Sequence, residues 1–329
     1  MTTRMCSIAC ACATAVIAAA GHAQVSVIQS FNVPGTPVGL AYDVPTDEVL
    51  VYIGSQALVR RYTPAGTEVG SFARPGESAD DADLDFAPVN LVMGSTKIAA
   101  GTLLFINGES GVAEIYAVNK VSGAVLATLT TAYGNSHVVG GGYHPERTTF
   151  FLVQDRNAGG GNGNRVAEIN AQTGAIINSF LVTAAAPDFS VNYGDLDISP
   201  NGNLLITSSD ETGVLELTPD GAFVALTPFP AGVGALSGLG VGDGTCDVWC
   251  GSTSGTISSV RGFYTLTGIS DFNDDGVVNS TDVSDFINAW FADQIEGTFL
   301  TDWDGNGVVN STDVSSYIND WFADVARPC

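Results

Sequence analysis

From Val25 to about Phe263, short runs of alternating apolar and polar residues are separated by turns rich in Asp, Asn, Pro and Gly. A period of two is typical of strands with one buried face. Three segments repeat the same order of a small-residue strand, a turn, an apolar strand and a hairpin that closes on Ala-Gly, Thr-Gly or Asp-Gly. They cover residues 38–72, 139–180 and 194–226. A less regular unit covers 83–129, and a truncated one covers 238–260.

Repetition at roughly 45 to 55 residues is the period of propeller blades. One blade cannot bury both faces of its own sheet, so the pattern predicts a closed ring. We count five blades, and the early strand VSVIQSF (25–31) can complete the truncated last blade by pairing with it. Six blades is the second interpretation and a pair of β-sandwiches the third. In pattern only, the region resembles secreted NHL-type β-propellers.

After Phe263 the alternation stops and apolar residues recur at helical spacing. Two stripes with an offset of 31 residues predict two amphipathic helices packed on each other, with Trp290 and Trp321 in the core. The stripes are Val283, Phe286, Ile287, Trp290 and Phe291, and then Val314, Tyr317, Ile318, Trp321 and Phe322. The predicted organisation is a signal peptide (1–23), an all-β propeller (24–262), a short linker (263–268) and a small all-α domain (269–329).

The first residues predict export. Arg4 precedes an apolar run from Ala11 to Ala20, and Gly21 and Ala23 occupy the positions before a cleavage site near Ala23-Gln24. No later segment has the ~18 consecutive apolar residues of a membrane span, so the mature chain is expected to be soluble and secreted or associated with the cell surface.

Composition agrees with many short strands and excludes one class of partner. The chain has 39 glycines in 329 residues, and 14% of its residues are charged, against averages of about 7% and 25%. With 11 Lys and Arg against 35 Asp and Glu, its formal net charge is −24. Nucleic-acid binding needs a basic face, so this balance argues against it.

Three cysteines remain after the export signal, an odd number for an oxidising compartment. We predict a local bridge between Cys246 and Cys250, with Cys329 left over.

Two twelve-residue segments, DFNDDGVVNSTD (271–282) and DWDGNGVVNSTD (302–313), have the ligand spacing of EF-hand-type calcium loops. Gly276 and Gly307 stand at the sixth position, where the loop turns sharply. Crowded carboxylates repel one another, and a divalent cation offsets that repulsion. The sequence therefore predicts two calcium ions. The predicted ligands are Asp271, Asn273, Asp275, Val277, Asn279 and Asp282 in the first loop, and Asp302, Asp304, Asn306, Val308, Asn310 and Asp313 in the second.

Loops that end in Asp, occur twice and are each followed by a helix resemble type I dockerin modules. The resemblance covers the last sixty or so residues and implies docking to a cohesin-like domain. In that family, loop positions 10 and 11 supply much of the recognition, and here they are Ser280-Thr281 and Ser311-Thr312. Identical pairs imply two binding orientations. Many dockerins carry a basic residue farther along the helix, whereas this chain has Asn288 and Asn319, which favours a neutral, hydrogen-bonding partner.

The propeller carries no diagnostic catalytic motif, and two function classes remain. The first is a non-catalytic protein that presents a surface for a glycan, peptide or protein. The second is a polysaccharide hydrolase or lyase delivered by its dockerin-like module, which requires a carboxylate pair. Asp195, Asp197, Asp210 and Glu211 are candidates that sequence alone does not pair.

Two other polar segments favour structural interpretations. His137 and His144 are candidates for an acid–base or metal site, but a turn within a blade explains them more simply. The acidic run 77–85 is interpreted as a solvated connection. An acidic pair with aromatic side chains in the central funnel would favour the enzyme class.

Overall fold

The computed structural model describes residues 25–77, 79–134, 136–159, 163–242, 247–261, 270, 272–273, 278, 280–304 and 306–325. The predicted signal peptide, the predicted linker (263–268) and Cys329 lie outside the described residues, so the predicted domain boundaries there stay predictions. No helix among the described residues is long and apolar enough to cross a membrane.

Five antiparallel four-stranded sheets form the blades of a propeller, as the repeat predicted. Blade 1 runs outward through β2 (Pro37–Asp43), β3 (Glu48–Ile53), β4 (Leu58–Tyr62) and β5 (Glu68–Ala73). Blade 2 consists of β6 (Ala82–Phe86), β9 (Leu103–Asn107), β10 (Glu114–Val118) and β11 (Val125–Thr130). A small hairpin of β7 (Leu91–Met93) and β8 (Thr96–Ile98) is inserted between β6 and β9.

The remaining blades follow in chain order. Blade 3 consists of β12 (Val138–His144), β13 (Thr149–Gln154), β14 (Arg165–Asn170) and β15 (Ile176–Leu181). Blade 4 consists of β16 (Asp195–Ile198), β17 (Leu204–Thr207), β18 (Gly213–Leu217) and β19 (Phe223–Pro228), and a single turn of helix, α1 (Val182–Ala185), precedes it. Blade 5 consists of β20 (Leu236–Val241), β21 (Asp247–Ser252), β22 (Thr256–Arg261) and β1 (Ser26–Asn32).

The N-terminal strand closes the ring. β1 pairs antiparallel with β22, in a register that sets Phe31 opposite Ile257, and so forms the outermost strand of the last blade. The prediction that this strand completes the truncated blade is confirmed. Because three strands of blade 5 come from the end of the propeller sequence and one from its beginning, this pairing ties the two ends together.

Apolar side chains fill the five interfaces between neighbouring blades. One buried cluster lies at each interface, and the inner strands are the most buried, with every residue of β12 buried. The outermost strands are exposed at most of their positions. The inner strands β2, β6, β12, β16 and β20 therefore line a central funnel, with one edge of each facing the axis.

The C-terminal region contains two helices, α2 (Ser280–Glu296) and α3 (Ser311–Val325), each of which begins within its acidic segment. The sequence predicted both helices and their offset.

Candidate functional sites in the helical module and the propeller funnel

The second acidic loop gathers three carboxylates. Asp302, Asp304 and Asp313 each place an oxygen so that all three atoms lie within 4.8 Å of one another. It is the one such group of three His, Cys, Asp or Glu side chains among the described residues. Ca²⁺ binds oxygen ligands at 2.3–2.6 Å, so atoms at this mutual spacing can surround one ion.

The rest of the loop turns its polar groups inward. Gly307 has a φ of 81°, a left-handed conformation that glycine adopts without strain, and its N–H donates to Asp302 Oδ2 at 2.8 Å. Val308 N–H donates to the side-chain oxygen of Asn306, and the Asn310 amide donates to Val308 O at 3.0 Å. The predicted ligands of this loop therefore lie in one turn.

The last Asp of each loop is buried at the start of its helix. Asp313 accepts hydrogen bonds from the N–H groups of Asn310 (2.7 Å) and Asp304 (3.2 Å), and Asp282 accepts them from Phe272 (3.1 Å) and Asn273 (3.4 Å). Burial opposes ionisation of Asp313, but the backbone N–H donors outweigh it and hold its pKa below the usual value. Each carboxylate thus joins its loop to the helix that follows it.

The first loop is described only in part. Asn273 and Asp282 belong to the described residues, whereas the predicted ligands Asp271, Asp275, Val277 and Asn279 lie outside them. Asp282 and Asp313 occupy matching positions at the starts of their helices, and the six ligands of the first loop stay a prediction.

Four aromatic rings form the core of the helical module. Phe286 of α2 and Tyr317 of α3 stack in parallel with ring centroids 3.9 Å apart, and both are fully buried. Phe272 meets Phe286 edge-on, and Trp303 meets Tyr317 edge-on at 4.9 Å. These four residues form two pairs at the same offset of 31, so the core is close to two-fold symmetric.

Polar contacts close the module with the same symmetry. Asp293, near the end of α2, accepts from Thr301 N–H and Oγ1–H, both at 2.7 Å, just before the second loop. Asp324, near the end of α3, accepts from Ser270 N–H at 3.1 Å and from its hydroxyl, just before the first loop. Each helix end therefore holds the beginning of the other loop.

The outer face of each helix presents the same four side chains. They are Thr281, Ser284, Asn288 and Phe291 on α2, and Thr312, Ser315, Asn319 and Phe322 on α3, all exposed. Placing Phe291 and Phe322 in the core was wrong, because they are 58% and 62% exposed. Trp290 and Trp321 are only half-buried, and Trp290 Nε1–H donates to Asn310 O at 3.0 Å. Two short helices bury one ring each at their crossing, and the wider apolar stripe extends past that contact.

Two Asp-Leu-Asp segments line the propeller funnel. In β6, Asp83 Oδ1 accepts from the N–H of Leu84 and Oδ2 accepts from the N–H of Gly141 in β12. Asp85 makes the same pair of contacts with Phe86 and Tyr143. Each side chain thus satisfies N–H groups on the inner edges of two neighbouring blades.

Blade 4 repeats this arrangement toward blade 5. Asp195 accepts from the N–H groups of Leu196 and Leu239, both at 2.7 Å, and Asp197 accepts from those of Ile198 and Val241, both at 2.6 Å. No strand pairs with an inner edge, so these N–H groups would otherwise be buried without acceptors. We call these four side chains the aspartate clasps: Asp83, Asp85, Asp195 and Asp197.

Glycines on β12 let the clasps approach from both sides. A Cβ at Gly140 would lie 2.3 Å from Asp195 Oδ1, and one at Gly142 would lie 3.0 Å from Asp85 Oδ2 and 3.5 Å from Asp197 Oδ1. The Gly-Gly-Gly stretch 140–142 therefore follows from the close packing of inner strands. It also shows that Asp85 and Asp197 face each other across Gly142.

Deeper in the funnel, Asp83 and Asp195 are fully buried and hydrogen-bonded to each other. Burial raises the pKa of both carboxyls well above the usual value, and the neighbouring charge of Asp195 raises that of Asp83 further. The two carboxyls therefore share a proton, in the way that close carboxylate pairs do.

This pair predicts a pH dependence of propeller stability. Because the folded-state pKa is raised, the contribution of the pair is fully present below the ordinary value of 3.8 and is lost as pH rises through the raised pKa. Asp83→Asn removes one titrating group. We expect the difference in unfolding free energy between the wild type and the variant to decrease as the pH rises. Denaturant titration from pH 4 to 9 measures this difference. Parallel stability curves would contradict the shared proton.

At the carboxyl ends of the inner strands the funnel opens into a cavity of about 240 Å³. All five blades contribute, through Tyr42, Asp85, Tyr143, Asp197 and Val241. The wall also includes Phe86, His144 and Glu146. The funnel thus has the acidic and aromatic side chains that the sequence could not place.

The four predicted candidate acids do not come together. Asp195 and Asp197 lie in the funnel, whereas Asp210 pairs with Arg156 (2.5 Å) and Glu211 accepts from Ser190 N–H (2.9 Å). Sequence reasoning missed their partners Asp83 and Asp85. The sequence did contain a signal for this pairing, since the segments DLDF (83–86) and DLDI (195–198) differ only in their last residue.

The segment 77–85 is less solvated than expected, because Asp81 and Asp83 are both buried. Asp81 Oδ2 lies 2.9 Å from His137 Nδ1. Burial raises the pKa of Asp81 to about 7, although His137 lowers it. His144 is buried at the end of β12, where Nε2 contacts Gly202 O at 3.0 Å, which agrees with the turn interpretation.

Cys250 is buried and forms no disulfide with the described residues, and its predicted bridge to Cys246 stays a prediction. Its side chain packs against Leu205, Leu239 and Val260 between blades 4 and 5. Cys246 itself lies outside the described residues.

Residues 269–320 match the family model of the dockerin type I domain. Dockerin domains bind cohesins, generally hold calcium and occur in extracellular proteins. The resemblance found from the two loops is confirmed. No curated protein sequence matches the chain.

Several solved structures resemble the propeller. Glutaminyl cyclase from Myxococcus xanthus is 15% identical, with coverage of 72% of this chain and 95% of that chain and a TM-score of 0.49. A luciferin-regenerating enzyme is 11% identical, with coverage of 72% and 95% and a TM-score of 0.46. Virginiamycin B lyase from Staphylococcus aureus is 14% identical, with coverage of 68% and 66% and a TM-score of 0.38. At these values the resemblance says nothing about activity.

Proposed function

We propose that the chain is an exported, non-catalytic binding protein. Its dockerin module holds two calcium ions and docks to a cohesin-like domain, and its propeller presents a ligand site at the funnel mouth. The proposed docking rests on one observation, the exposed Thr-Ser-Asn-Phe face that is repeated on α2 and α3. Export is supported by the N-terminal segment with its cleavage position near Ala23.

The docking face combines polar and apolar contacts. The exposed Ser-Thr pairs 280–281 and 311–312 offer hydrogen-bonding groups, and Phe291 and Phe322 each add a large exposed ring. Exposed aromatic residues ringed by polar groups are typical of interaction surfaces. No Lys or Arg stands on either face, so a partner surface that is neutral and apolar at its centre suits it best.

The repeated face leads to a direct test of docking in two orientations. Changing one pair, Ser280→Ala with Thr281→Ala, is expected to leave cohesin binding within about two-fold, because the other face still docks. Changing all four residues of positions 280, 281, 311 and 312 to Ala is expected to remove it. The measurement is calorimetry of the full chain against a panel of cohesin domains in saturating calcium.

Gln172→Ala together with Asn178→Ala changes two exposed polar residues of blade 3, away from the docking face, and is a control with the same number of changes as the single-pair variant. A large loss from one pair alone would defeat the two-orientation proposal, and no calcium-dependent binding to any cohesin tested would defeat the docking proposal.

A polysaccharide hydrolase or lyase is the second candidate, favoured by the acidic and aromatic side chains of the funnel. Two observations favour binding instead. The deep pair, Asp83 and Asp195, is fully buried and occupied by backbone N–H groups. The mouth cavity, at about 240 Å³, is smaller than the roughly 300–1,000 Å³ of ordinary ligand clefts, so it suits a small group better than an oligosaccharide. Release of reducing ends from a polysaccharide panel, abolished by Asp197→Asn, would establish the enzyme.

A further inference from the structure

The dipeptide Asn-Gly occurs four times in the chain, at Asn107, Asn162, Asn201 and Asn306. It is chemically labile, because glycine has no side chain to hinder its backbone nitrogen when that nitrogen attacks the side-chain carbonyl of the preceding asparagine. The attack requires the backbone to bend, so a folded structure that fixes the peptide suppresses it. The stability of each Asn-Gly therefore depends on what holds it in place.

The propeller holds two of these asparagines in regular structure. Asn107 is the last residue of β9, is only 9% exposed and is paired on both sides by strands β6 and β10. Asn201 lies in the tight turn between β16 and β17, where Gly202 N–H donates to Ser199 O at 2.8 Å. Strand pairing and backbone hydrogen bonds therefore fix both peptides. Asn162 lies outside the described residues.

Asn306 is held differently, by the acidic side chains of its own loop. It is exposed at the fifth position of the second loop. Its amide donates to Asp304 Oδ2, and the N–H of Gly307 donates to Asp302 Oδ2, both at 2.8 Å. Its side-chain oxygen accepts from Val308 N–H at 2.8 Å. A Cβ placed on Gly307 would meet no atom within 4 Å, so no other part of the described chain packs against that side of the peptide.

We propose that Asn306 is a deamidation site that calcium protects, an inference that rests on the calcium binding proposed for the dockerin module. Asp302, Asp304 and Asp313 repel one another, and a divalent cation among their oxygens reverses that repulsion. Without the cation the loop opens, and Gly307 N–H and the Asn306 amide lose their acceptors together. The nitrogen of Gly307 then reaches the side chain of Asn306.

The reaction needs water and no other reagent. The nitrogen of Gly307 loses its proton and bonds to Cγ of Asn306, the Cγ–Nδ2 bond breaks, and the departing nitrogen takes up a proton and leaves as ammonia. Water opens the resulting five-membered succinimide at one of its two carbonyls, which yields aspartate or isoaspartate. Nothing is oxidised or reduced.

The two products affect the loop differently, and they do so in one half of the module. Aspartate at position 306 matches Asp275, which holds the same position in the first loop. Isoaspartate continues the chain through its side-chain carboxyl, which adds one carbon to the backbone and displaces the later ligands of the loop. Because the first loop has no Asn-Gly, loss of calcium damages the second loop by this reaction and not the first.

The test is peptide mapping of the full chain by mass spectrometry after incubation at neutral pH, in saturating calcium and in EDTA. Conversion of an amide to a carboxyl changes the peptide mass, and fragmentation assigns the change to one asparagine. Calcium at 100 times its dissociation constant lowers the population of the open loop about 100-fold. We therefore expect deamidation of Asn306 to be at least tenfold slower in calcium than in EDTA.

Asn107 and Asn201 are internal controls with the same dipeptide, and each should react slowly and at the same rate in both buffers. Equal rates at Asn306 in the two buffers, or a rate in EDTA no faster than that of Asn201, would overturn the proposal.

The effect on the loop is measured by titrating calcium into aged chain. Wild type aged in EDTA and returned to calcium is expected to lose the second site in proportion to its isoaspartate content, which enzymatic methylation measures. Wild type aged in calcium for the same time is the matched control and should keep two sites. Fresh Asn306→Asp, which has the unshifted backbone, should also bind two ions. Two full sites in a chain rich in isoaspartate would refute the damage to the loop.

Failure of this inference is distinguishable from failure of the proposed function. Calorimetry of the fresh chain shows directly whether calcium binds. Absence of binding would defeat the proposed calcium role and this inference with it. Binding at two sites, combined with equal deamidation of Asn306 in calcium and in EDTA, would defeat this inference alone.

Discussion

Replacing Asp83 or Asp195 by Ala is expected to lower the melting temperature of the propeller by roughly 5 to 20 °C. Each carboxylate accepts two backbone N–H groups, one from its own strand and one from the next blade. A buried donor left without an acceptor costs about 1–3 kcal/mol, so each variant should lose about 2–6 kcal/mol. That is a large part of the ~5–15 kcal/mol of a typical domain, and each kcal/mol corresponds to about 2–4 °C at this size.

Scanning calorimetry of the full chain in saturating calcium measures this effect. Asp188→Ala is the matched control, because it removes an exposed carboxylate that makes no hydrogen bond or ion pair within the described part of the chain. Removing one carboxyl of the pair also removes its repulsion with the other, and this gain opposes the loss of hydrogen bonds. A fall in melting temperature no larger than that of the control would mean that the aspartate clasps do not hold the blades together.

The propeller could be predicted because its signals are local. Alternation with a period of two marks each strand, Gly and Asp mark each turn, and the repeat length indicates blades. Closure by β1 was also predictable, since the last unit was one strand short and an unassigned strand preceded the first. The dockerin module could be recognised for the same reason, because all the predicted calcium ligands of one loop lie within twelve residues.

The aspartate clasps could not be predicted in the same way. Asp83 and Gly141, whose N–H donates to it, are 58 residues apart, and they meet only because blade 3 follows blade 2 around the ring. Repetition of Asp-Leu-Asp in blades 2 and 4 was visible, but an acidic strand normally signals a solvated edge. The position of that edge against the funnel depends on ring closure, which no local pattern contains.

The apolar stripes on the two helices show a different limit of prediction from sequence. A period of 3.6 correctly predicted two amphipathic helices, but it cannot say how much of a stripe a partner helix covers. Phe286 and Tyr317 lie at the crossing and are buried, whereas Phe291 and Phe322, five residues later, lie beyond it. The error is informative because those two rings now belong to the proposed docking face.

Removal of calcium is expected to unfold the dockerin module and to leave the propeller folded. Asp302, Asp304 and Asp313 hold oxygens within 4.8 Å of one another, where like charges repel by about 1 kcal/mol per pair even in water. An ion at 100 times its dissociation constant adds about 2.7 kcal/mol of stability, and chelation removes it. In calorimetry of the full chain, EDTA should abolish or strongly lower one transition and leave the other in place, and a calcium titration should show two sites.

The double variant Asp282→Ala, Asp313→Ala is expected to have the same effect with calcium present. These carboxylates are buried and also accept the backbone N–H groups that join each loop to its helix. Helical circular dichroism should fall to the level seen in EDTA and should not recover at high calcium. Ser284→Ala with Ser315→Ala changes the same two helices at exposed, symmetric positions and should keep both sites. Helicity that is unchanged in the Asp282, Asp313 variant, or a module that melts identically with and without EDTA, would show that the loops fold without an ion, and the coupling of docking to calcium would then be lost as well.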